Sequence, residues 1–409
     1  MFILYFGIIL ISGYLLSILS EKLGFPKIVG YLLAGILLNP ELFNIIPTNF
    51  LAVSGFITNF CLAFITFEIG SSFSLSDLKK TGKKYFTLAF FESFGAFMLL
   101  FTAFFLLSIS VLPLSDLGIA TSLAFSLILA SLGTPTDPSA TLAVIHEYKA
   151  KGPVTNAILG AAAFDDIITL ILFSFGISIS HSILGNPEIS VFHIIYGIFY
   201  KIIGAVITGL IIGLIFNKLT SILHITDKKT LLILFLAFLS LTFGVAKLLN
   251  FDDLFSTLIL GFVIRNYNKE EKELIDITEN GLEDLFFLMF FVFSAMHFEF
   301  NSFSYLILGL ILAFILIRML GKFSGMKLGT HILKMPPNVK KFAFAGLIPQ
   351  GGIVLGLSLI ISQDPLFKDF SSLLAGIIMG ATIIHEFAGP FIAKLVLKKS
   401  GELNSEKDT

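Results

Sequence analysis

Apolar segments of the length that crosses a bilayer recur along the whole chain. A transmembrane helix needs about 20 predominantly apolar residues, and only 13% of the 409 residues are charged, against about 25% in soluble domains. We therefore predict an all-α polytopic membrane protein with about thirteen transmembrane helices. The predicted spans run near residues 2–19, 26–40, 49–70, 84–107, 117–147, 153–180, 191–217, 229–248, 252–266, 279–297, 304–326, 340–362 and 370–396.

The 27 Lys and Arg residues are unevenly distributed between alternate loops. If the N-terminus is outside, 22 of them fall on the cytoplasmic side and only Lys247 and Lys368 on the other. Positive charge is favoured on the cytoplasmic side, so we expect a cytoplasmic C-terminus. Residues 1–399 then form one transmembrane unit, followed by a short cytoplasmic tail at 400–409. Three cations remain at membrane depth, namely Lys201, Arg318 and Lys322.

The fifth predicted span contains residues that a continuous helix does not tolerate. Pro135 and Pro138 remove backbone donors and clash with the preceding turn. In lipid, the backbone groups left without partners must be satisfied by protein or by a wet cavity. We expect the hydroxyls of Thr134 and Thr136, with nearby carbonyls, to help coordinate a cation. Asp137 is predicted to cap the half-helix that follows.

A second interruption lies in the twelfth predicted span, at Pro349, Gln350, Gly351 and Gly352. It comes seven spans after the first, and an odd offset reverses the direction through the membrane. The pair of interruptions therefore predicts an inverted repeat, in which two crossed discontinuous helices meet near the midplane.

Asp165 and Asp166 are adjacent near the middle of the sixth predicted span. Carboxylates at this depth are costly to insert, and they normally mark an ion or proton pathway. Oxygen ligands suit hard cations, and a carboxylate that binds either a proton or a metal ion couples the two by competition. We predict that Asp165 and Asp166 bind Na⁺, which requires no catalytic residue and no cofactor.

Other ionizable residues at membrane depth have less certain roles. Arg318 and Lys322 are four apart and share one helix face, so either can pair with an aspartate, and the choice stays open. Glu386 is either a structural acid near the core or part of the transport path. Glu68 and Glu92 are interpreted as structural acids.

Several of these motifs together resemble the monovalent cation:proton antiporter-2 family of sodium/proton antiporters, over nearly the whole chain. The motifs that carry the resemblance are the segment 24–35, Thr136-Asp137-Pro138, Phe164-Asp165-Asp166, Arg318 with Gly321-Lys322, Pro349-Gln350-Gly351-Gly352 and Glu386-Phe387-Ala388-Gly389-Pro390.

The resemblance implies a sodium/proton antiporter-like fold and a homodimer. The core domain would comprise about 84–180 and 304–396, and the remaining helices would form a dimerisation domain. Asp166 would be the main carrier of ion and proton, and Asp165 would pair with Arg318 or Lys322. Elevator-type movement of the core would give alternating access. The acidic residue at both positions 165 and 166 implies electrogenic exchange of Na⁺, with Li⁺ as an alternative ion.

Two other transport functions remain open, namely K⁺/H⁺ exchange and sodium-coupled solute symport on a related fold. An enzyme is not predicted, because no nucleophile or metalloprotease motif is present. We expect membrane lipid as a partner, no nucleic acid and no soluble regulatory domain. The expected location is the plasma membrane of a prokaryote.

Overall fold

The structure, a computed structural model, is helical throughout the part of the chain that it describes. Within that part, seven helices are long and apolar enough to cross a membrane. This confirms the all-α polytopic prediction, whereas the count of thirteen spans stays a prediction. The described residues are 2–25, 27–43, 45–77, 79, 82–110, 116, 118–137, 141, 144–145, 150–185, 191–223, 225, 227–268, 271–297, 305–350 and 353–403.

The helices follow one another with short connections. They are α1 (Phe2–Lys22), α2 (Lys27–Leu37), α3 (Thr48–Ser71), α4 (Lys83–Ser110), α5 (Ile119–Leu132), α6 (Pro153–Gly185), α7 (Val191–Ile222), α8 (Lys228–Leu248), α9 (Asp253–Tyr267), α10 (Glu271–Ile277), α11 (Glu283–Met296), α12 (Tyr305–Ile332), α13 (Pro337–Phe342), α14 (Ile353–Gln363) and α15 (Lys368–Ser400). Single turns occur at Leu75–Asp77, Thr278–Leu282, Ala343–Leu347 and Pro365–Phe367.

The chain divides into two compact units. The first contains Met1–Thr48, Gly82–Pro187 and Phe291–Thr409, and the second contains Asn49–Thr81 and Glu188–Phe290. All of the predicted site residues belong to the first unit. Whether either unit serves dimerisation stays a prediction.

In the first unit, α4 and α12 pack with their backbones in close approach. A Cβ atom added at Gly325 would lie 2.0 Å from the Phe91 carbonyl oxygen, and one added at Gly321 would lie 2.6 Å from the Ala96 Cα. Small residues permit this closeness between membrane helices. The consequence is that Lys322, between the two glycines, is held against α4.

The N-terminus of α6 is capped by a residue from the far end of the chain. The Glu402 carboxylate accepts hydrogen bonds from the backbone N–H groups of Val154 and Thr155, both at 2.8 Å, and from the Thr155 hydroxyl. A carboxylate at this end of a helix satisfies unpaired donors and offsets the positive end of the helix dipole. The helix that carries the aspartate pair is thereby anchored at its first turn.

The second unit is packed by aromatic rings and buried hydroxyls. Phe64 stacks on Phe286 with ring centroids 4.2 Å apart, and the Thr66 and Thr257 hydroxyls are 2.6 Å apart. Asp227 caps α8 by accepting from the Thr230 backbone N–H, and this bond lowers the pKa of Asp227. Its contribution to stability is therefore present at neutral pH and is lost as the pH falls through that lowered value.

We predict that Gly325→Ala destabilises the protein and impairs its activity. The added methyl group meets backbone atoms of α4 that cannot move independently, so the two helices must separate. Overpacking of this kind costs about 1–3 kcal/mol. A lower thermal unfolding temperature in detergent would be measured, together with loss of transport in proteoliposomes.

The matched control is Gly309→Ala on the same helix, where an added Cβ meets nothing within 4 Å. It should leave both properties nearly unchanged. Equal behaviour of the two variants would contradict the close-approach argument.

Candidate cation site

Both predicted interruptions are present, and they contact each other. The chain leaves α5 at Leu132 and is non-helical from Gly133 to Asp137. The second interruption follows the turn at Ala343–Leu347, with non-helical residues 348–350 before α14. Pro138, Gly351 and Gly352 lie outside the described residues, as does most of the half-helix that Asp137 is predicted to cap.

Hydrogen bonds join the two interruptions directly. The backbone N–H of Asp137 donates to the Pro349 carbonyl at 3.0 Å, and the Gln350 side-chain amide donates to the Leu132 carbonyl at 2.6 Å. The Thr136 hydroxyl lies 3.2 Å from the Leu347 carbonyl. Each interruption therefore supplies partners for backbone groups that the other leaves without helical bonds.

Arg318 of α12 reinforces this contact from one side. Its guanidinium donates to the Gly133 carbonyl at 2.8 Å, to the Pro135 carbonyl at 2.6 Å and to the Ile348 carbonyl. The side chain is fully buried. Among the described residues it forms no ion pair within 4.0 Å, so its role in the structure is to hold the interrupted backbones.

Lys322, one turn further along α12, is the cation that meets the acids. Its ammonium group forms an ion pair with Glu92 of α4, donates to the Thr136 hydroxyl at 2.8 Å and lies 3.7 Å from Asp165 Oδ2. All of these side chains are buried. Of the two cations left open by the sequence, Lys322 is therefore the one near Asp165.

The two adjacent aspartates have different surroundings. Asp165 is fully buried, and its carboxylate accepts from the Ser93 hydroxyl at 3.0 Å and from the Thr136 hydroxyl at 2.6 Å. The Asp166 side chain is partly exposed and makes no such bond within the described part of the chain. Successive residues on a helix point in different directions, so one carboxylate is fixed while its neighbour is available.

Thr134 and Thr136 differ in the same way. Thr134 donates to the Ser131 carbonyl and lies 2.7 Å from the Thr169 hydroxyl, which ties the interruption to α6. Thr136 instead touches both Asp165 and Lys322. A ligand role for either hydroxyl stays a prediction.

Glu386 of α15 is fully buried beside Asp137, and its neighbour His385 is also buried. Glu92 and Ser93 are the members of the site that sequence reasoning did not select. The available signal was an acid inside an apolar span, which needs a partner at membrane depth.

Comparison with known proteins gives a family and a fold. The family model described as "Sodium/hydrogen exchanger, transmembrane" matches residues 7–395. The structure is similar to that of the sodium proton antiporter MjNhaP1 from Methanocaldococcus jannaschii, with 20% identity, a TM-score of 0.75 and coverage of 97% of this chain and 98% of that one. A search of curated proteins finds no match.

These findings confirm the antiporter fold and the prediction of a multi-pass transporter rather than an enzyme. The match over nearly the whole chain establishes the family, in agreement with the motifs found in the sequence. The chain belongs to the sodium/hydrogen exchanger family of cation/proton antiporters.

Proposed function

We propose that the chain exchanges Na⁺ for H⁺ by competition at Asp166. The observation that carries this proposal is the difference between the adjacent carboxylates. Asp165 is held by Ser93, Thr136 and Lys322, whereas the side chain of Asp166 is partly exposed and lacks such partners. A carboxylate in that position can bind a cation or a proton without first breaking a bond.

The buried charges support the same assignment. Glu92 and Asp165 are two carboxylates, and Arg318 and Lys322 are two cations, so these four groups balance when all are ionised. Asp166 adds one negative charge to this neutral set. At membrane depth an uncompensated charge is costly, so Asp166 is neutralised either by Na⁺ or by a proton, and binding of one excludes the other.

Alternating access is proposed to occur by elevator-type movement of the first unit. The support is that Glu92, Asp165, Asp166, Arg318 and Lys322 all belong to that unit, which can therefore carry the intact site. We further propose a homodimer in a prokaryotic plasma membrane, with the N-terminus outside. The homodimer rests on the family resemblance, and the orientation rests on the excess of Lys and Arg in alternate loops.

Asp166→Asn is expected to abolish exchange, because an amide can neither bind a proton at neutral pH nor offer a charge to Na⁺. Proteoliposomes with an internal pH dye should show Na⁺-dependent proton flux that falls below about a tenth of the wild-type rate. Asp369→Asn, an exposed acid on α15, is the control and should retain full flux.

The same vesicles also test ion preference with Na⁺, Li⁺ and K⁺ at equal concentrations. Flux with K⁺ alone would favour the alternative K⁺/H⁺ exchange. Undiminished Na⁺-dependent flux in Asp166→Asn would overturn the proposed site.

Glu92 and Lys322 should be strongly coupled in stability. Glu92→Gln leaves a buried ammonium with less compensation, and Lys322→Met leaves two carboxylates without their cation. Breaking a buried pair from one side costs about 3–5 kcal/mol. We expect the double variant to be less destabilised than the sum of the single ones, as measured by thermal unfolding in detergent.

Lys327→Met provides the control, since Lys327 is exposed on the same helix. It should be nearly neutral and should not couple to Glu92→Gln. Strict additivity of Glu92→Gln and Lys322→Met would contradict the ion pair.

We expect exchange to be electrogenic, with Lys322 supplying a second proton when Na⁺ binds. A unit charge crossing 100 mV gains about 2.3 kcal/mol, so an imposed membrane potential should change the exchange rate severalfold. The measurement compares Na⁺ efflux from proteoliposomes at zero and inside-negative potential. A rate that is independent of potential would indicate one-for-one, electroneutral exchange.

A further inference from the structure

The proposed exchange does not use one buried acid, Glu386. Its side chain has no exposed surface, and neither carboxyl oxygen has a hydrogen-bond donor among the described residues. It borders a small cavity whose other walls are apolar, formed by α2 and α15 and including Leu32, Ile36 and Phe387. An isolated ionised carboxylate in such surroundings is strongly unfavourable.

The group that faces Glu386 is another acid. The Asp137 side chain lies within hydrogen-bonding range of the Glu386 carboxyl group. Asp137 also acts electrostatically on Asp166. The Asp137 backbone N–H is fixed on the Pro349 carbonyl, so this acid is held between the proposed carrier and Glu386.

The charges on the helices packed against α15 do not compensate Glu386. Arg318 and Lys322 act instead on His385, and their N–H groups are used by carbonyls, Glu92 and Thr136. No charged residue occurs in α5, in α14 or in the turns at Ala343–Leu347 and Pro365–Phe367. The other titratable residues on these packed helices are Lys27, Asp165, Asp166, His181, Lys327, His331, Lys340 and Lys341, and none of them acts appreciably on Glu386.

Two facing carboxyl groups form a stable contact only under one condition. A carboxylate accepts hydrogen bonds but donates none, so the contact becomes a hydrogen bond only when one of the two groups carries a proton. Like charges at this distance also prevent both groups from ionising together. The geometry thus provides a place for a single shared proton.

We propose that Asp137 and Glu386 form a second proton-binding site, which releases its shared proton when Na⁺ binds at Asp166. The inference rests on the proposed function, since it takes Asp166 as the Na⁺ carrier. Na⁺ beside Asp137 favours the ionised form of the pair. Conversely, loss of the proton adds one negative charge near the carrier and strengthens Na⁺ binding.

The test counts the protons released for each Na⁺ bound by the purified protein. Calorimetry of Na⁺ binding in buffers of different ionisation enthalpy gives this number. Glu386→Gln keeps the shape of the side chain but holds it neutral, so the number should fall by up to one proton. At alkaline pH its Na⁺ affinity should also be weaker than wild type, on the order of fivefold for one missing nearby charge.

Asp137→Asn is the second variant, and it should lower the proton count in the same way through the other member of the pair. Asp369→Asn should leave the count unchanged. If wild-type protein binds no Na⁺ or releases no proton, the proposed function itself fails. If wild type does both and Glu386→Gln and Asp137→Asn release as many protons as wild type, only the second site is overturned.

Discussion

Interrupting two helices at membrane depth leaves backbone groups that must find partners within the protein, because lipid offers none. The two interruptions satisfy part of this need through each other, and Arg318 supplies donors for three carbonyls. The guanidinium suits this task because it presents several donors in a fixed plane and stays charged. The irregular backbone is therefore cross-linked at the place where the proposed carrier needs rigid surroundings.

The acids of the site follow from this arrangement. Lys322 lies one turn from Arg318 and is pressed against α4 by the close approach at Gly321 and Gly325. That approach brings Glu92 to the ammonium group, and Glu92 then shares the lysine with Asp165. The charge that would otherwise tie up both aspartates is divided, so the side chain of Asp166 makes no such bond within the described residues.

Local sequence signals located the interruptions and the aspartate pair, because prolines and adjacent carboxylates are costly in a membrane helix wherever they occur. The same signals could not distinguish Arg318 from Lys322, since both lie on one helix face. That choice depends on what each side chain meets across a tertiary contact. Glu92 was missed for the same reason: its partner is 230 residues away in the chain, and only the packing of α4 on α12 brings the two together.

The Glu402 cap has a mechanical consequence for the helix that carries the aspartates. Residue 402 immediately follows Gly401, whose left-handed backbone conformation ends α15, and its carboxylate grips the first turn of α6. Any displacement of α6 along its axis must therefore pull on the end of α15, or else break the clasp. A purification tag fused directly after Ser400 would remove this tether, whereas one placed beyond Leu403 would spare it.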